Sequence, residues 1–421
     1  MSANGPNILV LGTPEHEGRM VGRAFEILGV EPRYSGTSGP VIPDDPRPDV
    51  VLLSREWSLE LRLAAAQARA AGIPTIYVMD GVLEWAYLWE NWSFVKPEGT
   101  VLQPLIAEHL CAIGRHPARI LAALGLAERV HLVGLPRLDD FKRERRVFAD
   151  RRKQILITTA ATAGQHVAHK VMVRSALRDL QAWFATHDEI VPIWRVDRFL
   201  ADDLGIAFEN DVPIQEQLAT VDGVISFTST VLLESMLLGV PTAQIDYRSV
   251  PQYVQTAWEI RSAEQIESVI RELLHPPAEK IAFQEFCLRD ELELGDASQR
   301  LATLIRDVVS SPQTTSAPAE SLGILDYRQV HSHLSTFSLS PLSRVQYELD
   351  ATYKLLELNR THPKLLVEQR NRAISDALEH PILRFLMRLR MPFIPGLKRL
   401  KILLLRLNDL IPSSDKGSQQ R

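Results

Sequence analysis

The sequence predicts an α/β fold of two doubly wound parallel sheets in tandem, followed by a helical C-terminal extension. Short apolar segments, typical of buried strands, alternate with helical segments along residues 7–275. This alternation indicates parallel sheets that are covered by helices on both faces. A charged stretch between residues 142 and 153 interrupts the alternation, which then starts again. The 421 residues are enough for two such domains, each with its own core.

The first Rossmann-like domain is predicted over residues 1–141. Its strands are predicted at 7–11, 49–53, 74–79, 110–113 and 129–133. Helices are predicted at 23–28 and 57–71, and another begins at Pro117, because proline is favoured at the first helical position. The charged stretch that follows is interpreted as a solvated linker, and a phosphate-binding role is the alternative.

The second Rossmann-like domain is predicted over residues 153–310. Its strands are predicted at 154–158, 190–194, 222–227 and 241–245. Its helices are predicted at 167–184, 214–219, 230–238 and 263–273. Both halves of the chain therefore repeat the same strand–helix pattern.

The rest of the chain has a different composition. Residues 311–341 are predicted to form a linker, 342–411 a helical basic extension and 412–421 a disordered tail. Residues 381–407 contain seven Lys or Arg and no acidic residue, with Leu, Ile, Phe and Met between them. Such a segment is suited to an anionic membrane surface. A partner-binding or oligomerising helix is the alternative.

Composition excludes several classes of function. A net charge of −5 and a pI of about 6.2 argue against general nucleic-acid binding. The two cysteines, Cys111 and Cys287, lie far apart, which indicates neither a disulfide framework nor a zinc site. The first six residues lack the basic region of a signal peptide, and no apolar run is long enough to span a bilayer. We therefore expect a cytoplasmic protein, peripheral at the inner face of the plasma membrane if residues 381–407 bind lipid.

The most informative segment is 222–241, which reads as a buried strand, a hydroxyl-rich turn, a helix and a Gly-Val-Pro exit. Thr228, Ser229 and Thr230 stand where the helix begins, so their hydroxyls lie beside unpaired backbone N–H groups. Such a position favours an anion such as a phosphate. An ordinary hydroxyl cap after a strand is the alternative interpretation.

Glu234 is the unusual residue of this helix. It lies on the same face as Thr230 by the i, i+4 rule, and it is one position too late to form a capping box with it. A carboxylate in an otherwise apolar helix needs a partner, and a sugar hydroxyl is the predicted one. In the alternative interpretation, Glu234 simply faces water.

Four segments carry a family resemblance. The turn at 134–139, the strand at 154–159, the strand end at 191–195 and the segment 222–241 resemble motifs of GT-B glycosyltransferases of bacterial surface and capsular polysaccharide biosynthesis. That group is related to the CDP-glycerol glycerophosphotransferases and the non-hydrolysing UDP-N-acetylglucosamine 2-epimerases. The resemblance covers residues 130–275 well and residues 7–130 only in outline.

The resemblance implies a GT-B fold and a function. A sugar would pass from a nucleotide-sugar donor to a surface polysaccharide or glycolipid acceptor, with no metal and no cofactor. Arg195, at the end of the strand 190–194, would bind the phosphates together with the turn at Thr228–Thr230. The pairs at 139–140 and 202–203 do not follow a suitable strand, so they do not form a metal-binding DxD-type motif.

Departures from the family pattern leave three alternatives. Val196-Asp197 follows Arg195 where the family has His-Pro. Residues 79–85 lack the His-Val-Glu-Ala-Gly motif of the epimerases, and the Trp-His-Gly motif of the polyol-phosphate transferases is also missing. Both enzyme classes remain as alternatives that these departures disfavour. The third alternative is a non-catalytic nucleotide-sugar-binding scaffold.

The acceptor hydroxyl needs a general base, which we expect from the first domain. The candidates follow predicted strands: His16 and Glu17 after the first, and Asp80 and Glu84 after a central one. We favour Asp80 or Glu84, because Asp80-Gly81 directly ends the strand 74–79; a simple tight turn is the alternative. His16 and Glu17 are equally suited to contacting substrate without exchanging protons. Arg115 and His116, after a later strand, are predicted to bind substrate.

Overall fold

The structure is a computed structural model that describes residues 5–36, 42–55, 59–83, 105–141, 150–160, 167–207, 212–248 and 254–310. All of these residues belong to the first of two compact units, Met1–Ala351. We refer to residues 5–141 as the first half and to residues 150–310 as the second half. The predicted linker, basic extension and tail lie outside the described residues.

The described part of the first half forms a parallel six-stranded sheet in the order β2-β1-β3-β4-β5-β6. Its strands are β1 (Ile8–Leu11), β2 (Arg33–Tyr34), β3 (Val50–Leu53), β4 (Thr75–Val78), β5 (His109–Ala112) and β6 (Val130–Leu132). Its α-helices are α1 (Pro14–Leu28), α2 (Leu59–Ala70) and α3 (Arg115–Leu121). The described part of this half also contains a π-helical turn (Ala122–Leu126) and two 3-10 turns (Ala127–Arg129, Pro136–Leu138).

The described part of the second half forms a parallel five-stranded sheet in the order β11-β10-β9-β7-β8. Its strands are β7 (Lys153–Thr158), β8 (Ile190–Arg195), β9 (Gly223–Ser226), β10 (Thr242–Ile245) and β11 (Trp258–Ile260). Its α-helices are α4 (Val167–Phe184), α5 (Arg198–Leu204), α6 (Ile214–Leu218), α7 (Val231–Leu237), α8 (Ile266–Leu274), α9 (Ala278–Glu291) and α10 (Ala297–Ser310). The predicted α/β class with two Rossmann-like sheets is confirmed.

Several elements differ from the sequence prediction, and α5, α10 and the edge strands β2 and β11 were not predicted. Helix α1 begins at Pro14 rather than at residue 23, because Thr13 caps it and its two internal glycines do not break it. Helix α9 was not predicted. Its buried side chains include Gln284 and Glu291, so the apolar stripe that identifies a helix in a sequence is interrupted.

Both faces of each sheet are covered, as the apolar strands require. In the first sheet, Ile8 and Val10 belong to a buried cluster with Met20 and Phe25 of α1. In the second sheet, Ile155 and Ile157 belong to a cluster with residues of α4 and α8. A third cluster contains buried residues of both halves, so the two halves share apolar packing.

The last described helix returns to the first sheet. Helix α10 lies in the range predicted for the second domain, yet its buried residues Leu301, Ile305 and Val308 pack in the cluster that contains Ile8 and Val10. Both carboxylate oxygens of Asp139 accept hydrogen bonds at its start, from the backbone N–H groups of Ala297 (2.9 Å) and Ser298 (2.7 Å). A residue of the first half therefore caps this helix.

Replacing Asp139 by Ala is expected to lower the free energy of unfolding by about 1–2 kcal/mol, because two helix N–H groups lose their acceptor. Urea denaturation followed by circular dichroism measures the change. The control is Asp44→Ala, which removes an exposed carboxylate of the same half and should change stability by less than about 0.5 kcal/mol. Equal losses for both variants would contradict the capping role.

None of the helices in the described ranges is both long and apolar enough to cross a membrane.

Candidate functional site

Residues of both halves meet where the strands of the two sheets end. Gly81 follows β4 and lies so close to Thr230 that a Cβ atom on it would overlap Thr230 Oγ1. The end of β4 in the first half therefore touches the turn between β9 and α7 in the second half. We call the space around this contact the cleft. In open α/β sheets, ligands bind outside the carboxyl ends of the strands, so the cleft is the candidate site.

The β1–α1 turn places the carboxylate of Glu17 against the carboxyl end of β1. Thr13 Oγ1 accepts a hydrogen bond from the backbone N–H of His16 (3.4 Å) and caps α1. Gly12 has a φ of 143°, and a Cβ atom there would lie 2.6 Å from Cγ of Glu17. Glycine is therefore required at position 12, and this allows Glu17 to fold back against the strand end, where it is 1 % exposed.

Glu17 pairs with a guanidinium group and lies near an imidazole of the same half. Its Oε1 lies 3.2 Å from Nη2 of Arg55, which follows β3, and 3.8 Å from Nδ1 of His16. Burial and the negative charge of Glu17 raise the pKa of the Tyr34 hydroxyl. The His16 side chain is 43 % exposed, so it is the member of the predicted His16–Glu17 pair that faces solvent.

Asp80 combines exposure with a raised pKa. Solvent reaches the side chain, yet the protein around it removes much of the water that would hydrate a carboxylate, and this desolvation raises its pKa above 3.8. Its own backbone N–H and the positive charges of His16, Arg137 and Arg55 oppose the shift. A carboxyl group that solvent reaches in a cleft, with a pKa closer to neutrality, has the properties of a general base.

An ion pair joins the two halves beside Asp80. Nη1 of Arg137, in the turn after β6, lies 2.6 Å from Oε1 of Glu234 in α7. The Glu234 residue is 4 % exposed, so this is a largely desolvated pair. The partner of Glu234 in the structure is thus Arg137, and neither water nor a sugar hydroxyl is needed to explain a carboxylate in this helix. Its predicted role in donor binding stays a prediction.

The hydroxyl-rich turn precedes a helix, as predicted, and this helix is shorter than predicted. Helix α7 has seven residues and begins after Thr230, whose side chain makes no capping hydrogen bond. Ser229 provides the cap, because its Oγ accepts a hydrogen bond from the N–H of Val231 (3.3 Å). Thr228, Ser229 and Thr230 are all partly exposed.

Arg195 lies further away. It ends β8, the edge strand of the second sheet, two strands from β9. Its Nη1 donates to the carbonyl oxygen of Val212 (2.6 Å) and to Oε1 of Gln217 (3.5 Å). The guanidinium group is therefore held by the loop before α6 and by α6 itself, and its predicted phosphate contact stays a prediction.

Arg115 and His116 face a helix of the second half. Nδ1 of His116 lies 2.6 Å from Oε1 of Glu291, which also accepts the backbone N–H of Gln255 (2.8 Å). Nε of Arg115 lies 3.7 Å from Oε2 of Glu293. In the structure these two residues hold the halves together at the end of α9, and their predicted binding of substrate stays a prediction.

Arg55 and Arg137 are the residues that sequence reasoning did not identify as candidates. Arg55 follows an apolar strand with no motif around it. Arg137 belongs to the turn at 134–139, which carried the family resemblance, but its partner lies 97 residues away. The remaining candidate base, Glu84, lies outside the described residues. Within the described ranges, no group of three or more His, Cys, Asp or Glu side chains is arranged to hold a metal ion.

Comparison with solved structures identifies the fold. The UDP-GlcNAc 2-epimerase of Methanocaldococcus jannaschii, in complex with UDP-GlcNAc and UDP, is similar with a TM-score of 0.50 and 14% identity, over 71% of this chain and 99% of that chain. S. aureus MnaA, in a co-structure with UDP, is similar with a TM-score of 0.53 and 14% identity, over 72% and 97%. At these identities the similarity concerns the fold alone.

The chain therefore has the GT-B fold that the motifs predicted. No protein-family model matches the sequence. No curated protein matches it either.

Proposed function

We propose that this protein transfers a sugar from a nucleotide-sugar donor to a hydroxyl group of a glycan or glycolipid acceptor, without a metal ion. The main supporting observation is the close approach of Gly81, the residue after Asp80, to Thr230, together with the charge of Arg137, which pairs with Glu234 and is near enough to oppose the raised pKa of Asp80. A group able to accept a proton thus stands on one wall, and hydroxyl and cationic groups suited to a diphosphate stand close by. The two similar solved proteins both have UDP bound, which supports a nucleotide ligand.

The proposed reaction needs one proton transfer and one displacement. The Asp80 carboxylate takes the proton of the acceptor hydroxyl, and the acceptor oxygen forms a bond to the anomeric carbon of the sugar. The bond between that carbon and the diphosphate oxygen breaks, and its electron pair leaves with the nucleoside diphosphate. Negative charge therefore grows on the diphosphate during the step, and cationic groups at the cleft stabilise it.

The turn before α7 is too weak to carry this reaction alone. A helix N-terminus contributes about 0.3–2 kcal/mol, whereas enzymes lower barriers by roughly 8 kcal/mol or more. Positioning of donor and acceptor and a general base must provide most of the difference. The contact between Gly81 and Thr230 brings groups of both halves together, so donor and acceptor could be positioned against one another there.

A panel of UDP-, CDP- and GDP-sugars incubated with glycan acceptors tests the proposal. We expect turnover with release of free nucleoside diphosphate, measured by coupled assay and mass spectrometry. A new nucleotide sugar formed without acceptor would instead show an epimerase, and transfer of a polyol phosphate would show a relative of the glycerophosphotransferases. Binding without turnover would show a scaffold. Each of these three results would contradict the proposal.

The lipid-linked form of the acceptor rests on the basic segment 381–407, which lies outside the described residues. Its seven cationic side chains would place the protein at an anionic membrane surface on the cytoplasmic side. Membrane attachment of this kind suits an acceptor that carries a lipid.

A further inference from the structure

The guanidinium groups of Arg55 and Arg137 at the cleft, and of Arg195 further away, already have partners in the described structure. Arg55 pairs with Glu17 at 3.2 Å, and Arg137 pairs with Glu234 at 2.6 Å. Arg195 donates to a carbonyl and an amide oxygen. A nucleoside diphosphate carries at least two negative charges, and any of these three groups that neutralised it would have to leave an existing partner.

Arg137 is better placed than Arg55 and Arg195 to reach a ligand at the Thr228–Thr230 turn. Arg137 contacts the helix that follows the Thr228–Thr230 turn directly, through a residue one turn from Thr230. Arg195 ends β8, which is two strands from β9 in the sheet, and this spacing corresponds to about 10 Å. Arg55 holds Glu17, which is 1 % exposed beneath Gly12 and would lose its guanidinium partner in a buried position.

Glu234 can lose its partner without being left unpaired, provided that the ligand supplies hydroxyl groups. A nucleotide sugar contains both chemical groups that the exchange needs: a diphosphate for the guanidinium, and ribose and sugar hydroxyls for the carboxylate. Guanidinium binds phosphate oxygens in a bidentate geometry. A carboxylate accepts hydrogen bonds from two adjacent hydroxyls in the same way.

We propose that Arg137 changes partner when a nucleotide sugar binds: its guanidinium group moves from Glu234 to the diphosphate, and the freed Glu234 carboxylate accepts hydrogen bonds from hydroxyls of the same ligand. This inference rests on the proposed function, since it concerns the donor. Arg137 belongs to the first half and Glu234 to the second, so the exchange couples donor binding to a contact between the halves. Arg137 is a substrate-binding residue in this scheme, because its guanidinium group contacts the diphosphate of the donor.

The exchange makes an unusual prediction for Glu234→Gln. This variant keeps the shape of the side chain and removes the charge that holds Arg137. Inorganic pyrophosphate has no sugar hydroxyl groups that could bind Glu234. Because Arg137 is no longer held by a carboxylate in the variant, pyrophosphate is expected to bind the variant about tenfold more tightly than the unaltered protein. A nucleotide sugar that the unaltered protein binds should bind the variant several-fold more weakly. Isothermal titration calorimetry on the full chain measures both affinities.

Two further variants complete the experiment. Arg137→Gln should weaken pyrophosphate binding about tenfold or more. Arg119→Gln is the matched control: it removes a different ion pair between the halves, with Asp290 at 2.5 Å. The control should leave pyrophosphate affinity unchanged. Thermal denaturation of each variant establishes that it is folded before binding is compared.

Equal or weaker pyrophosphate binding by Glu234→Gln would overturn the exchange and leave a static ion pair. Absence of pyrophosphate binding to both proteins would overturn it as well. These outcomes are separable from failure of the proposed function, which would appear as a lack of sugar transfer by the unaltered protein. The pyrophosphate measurement needs no turnover.

Discussion

Replacing Asp80 by Asn is expected to reduce kcat of sugar transfer by about 100- to 10,000-fold, the usual contribution of a general base. The substitution keeps the size of the side chain and removes its ability to accept a proton. Donor binding should change little, because the acceptor proton is not involved in it. Steady-state kinetics together with calorimetric donor binding separates the two effects.

The pH dependence gives an independent measure of the same group. A base works in its deprotonated form, so kcat/KM should fall as the pH drops through the pKa of Asp80. Because desolvation raises that pKa, the acid limb should lie above the ordinary carboxyl value of 3.8, and Asp80→Asn should remove it. Glu26→Gln, which neutralises an exposed carboxylate of α1, is the control and should keep both rate and limb. A limb that persists in Asp80→Asn would assign the base to another residue.

Replacing Gly114 by Ala is expected to lower the free energy of unfolding by about 3 kcal/mol, the upper part of the range for overpacking. Gly114 has an extended backbone (φ −161°) that alanine also adopts, so the cost arises from contact alone. An added Cβ would overlap the carbonyl carbon and oxygen of Glu291 and lie 2.6 Å from the backbone nitrogen of Leu292. These atoms belong to the backbone at the end of α9 and cannot rotate away.

The expected result is loss of the contact between the β5–α3 loop and α9. Two bonds beside Gly114 depend on the same approach: His116 to Glu291, and the backbone N–H of Glu293 to the carbonyl oxygen of Ile113 (2.7 Å). Chemical denaturation measures the loss. Gly22→Ala is the matched control, since nothing lies within 4 Å of its Cβ position in α1, and it should stabilise the protein by up to about 1 kcal/mol. Unchanged stability of Gly114→Ala would show that the loop and α9 can move apart freely.

Much of the fold could be predicted because its strands are apolar on both faces. Strands such as Ile8–Leu11 and Val50–Leu53 are entirely buried, and a run of Val, Ile and Leu between polar loops reveals this in the sequence. The short edge strands β2 and β11 lack such runs. The return of α10 to the first sheet was not predictable, since nothing in its own sequence distinguishes the two sheets as packing partners.

The candidate site was predictable where a residue conflicts with its local surroundings. Glu234 interrupts an apolar helix, and Asp80 ends an apolar strand, so each stood out. Arg137 and Arg55 are ordinary residues in polar loops, and their importance comes from partners distant in the chain. Pairing across two sheets depends on how the halves pack, which local sequence patterns do not encode.

The return of α10 has a consequence for biosynthesis. One face of the first sheet is covered in part by Leu301, Ile305 and Val308, which leave the ribosome only after the entire second sheet has been made. Until then the nascent first sheet keeps apolar surface open to water, where it is exposed to chaperones and to self-association. The core of the first sheet is therefore completed only after the second sheet has been synthesised.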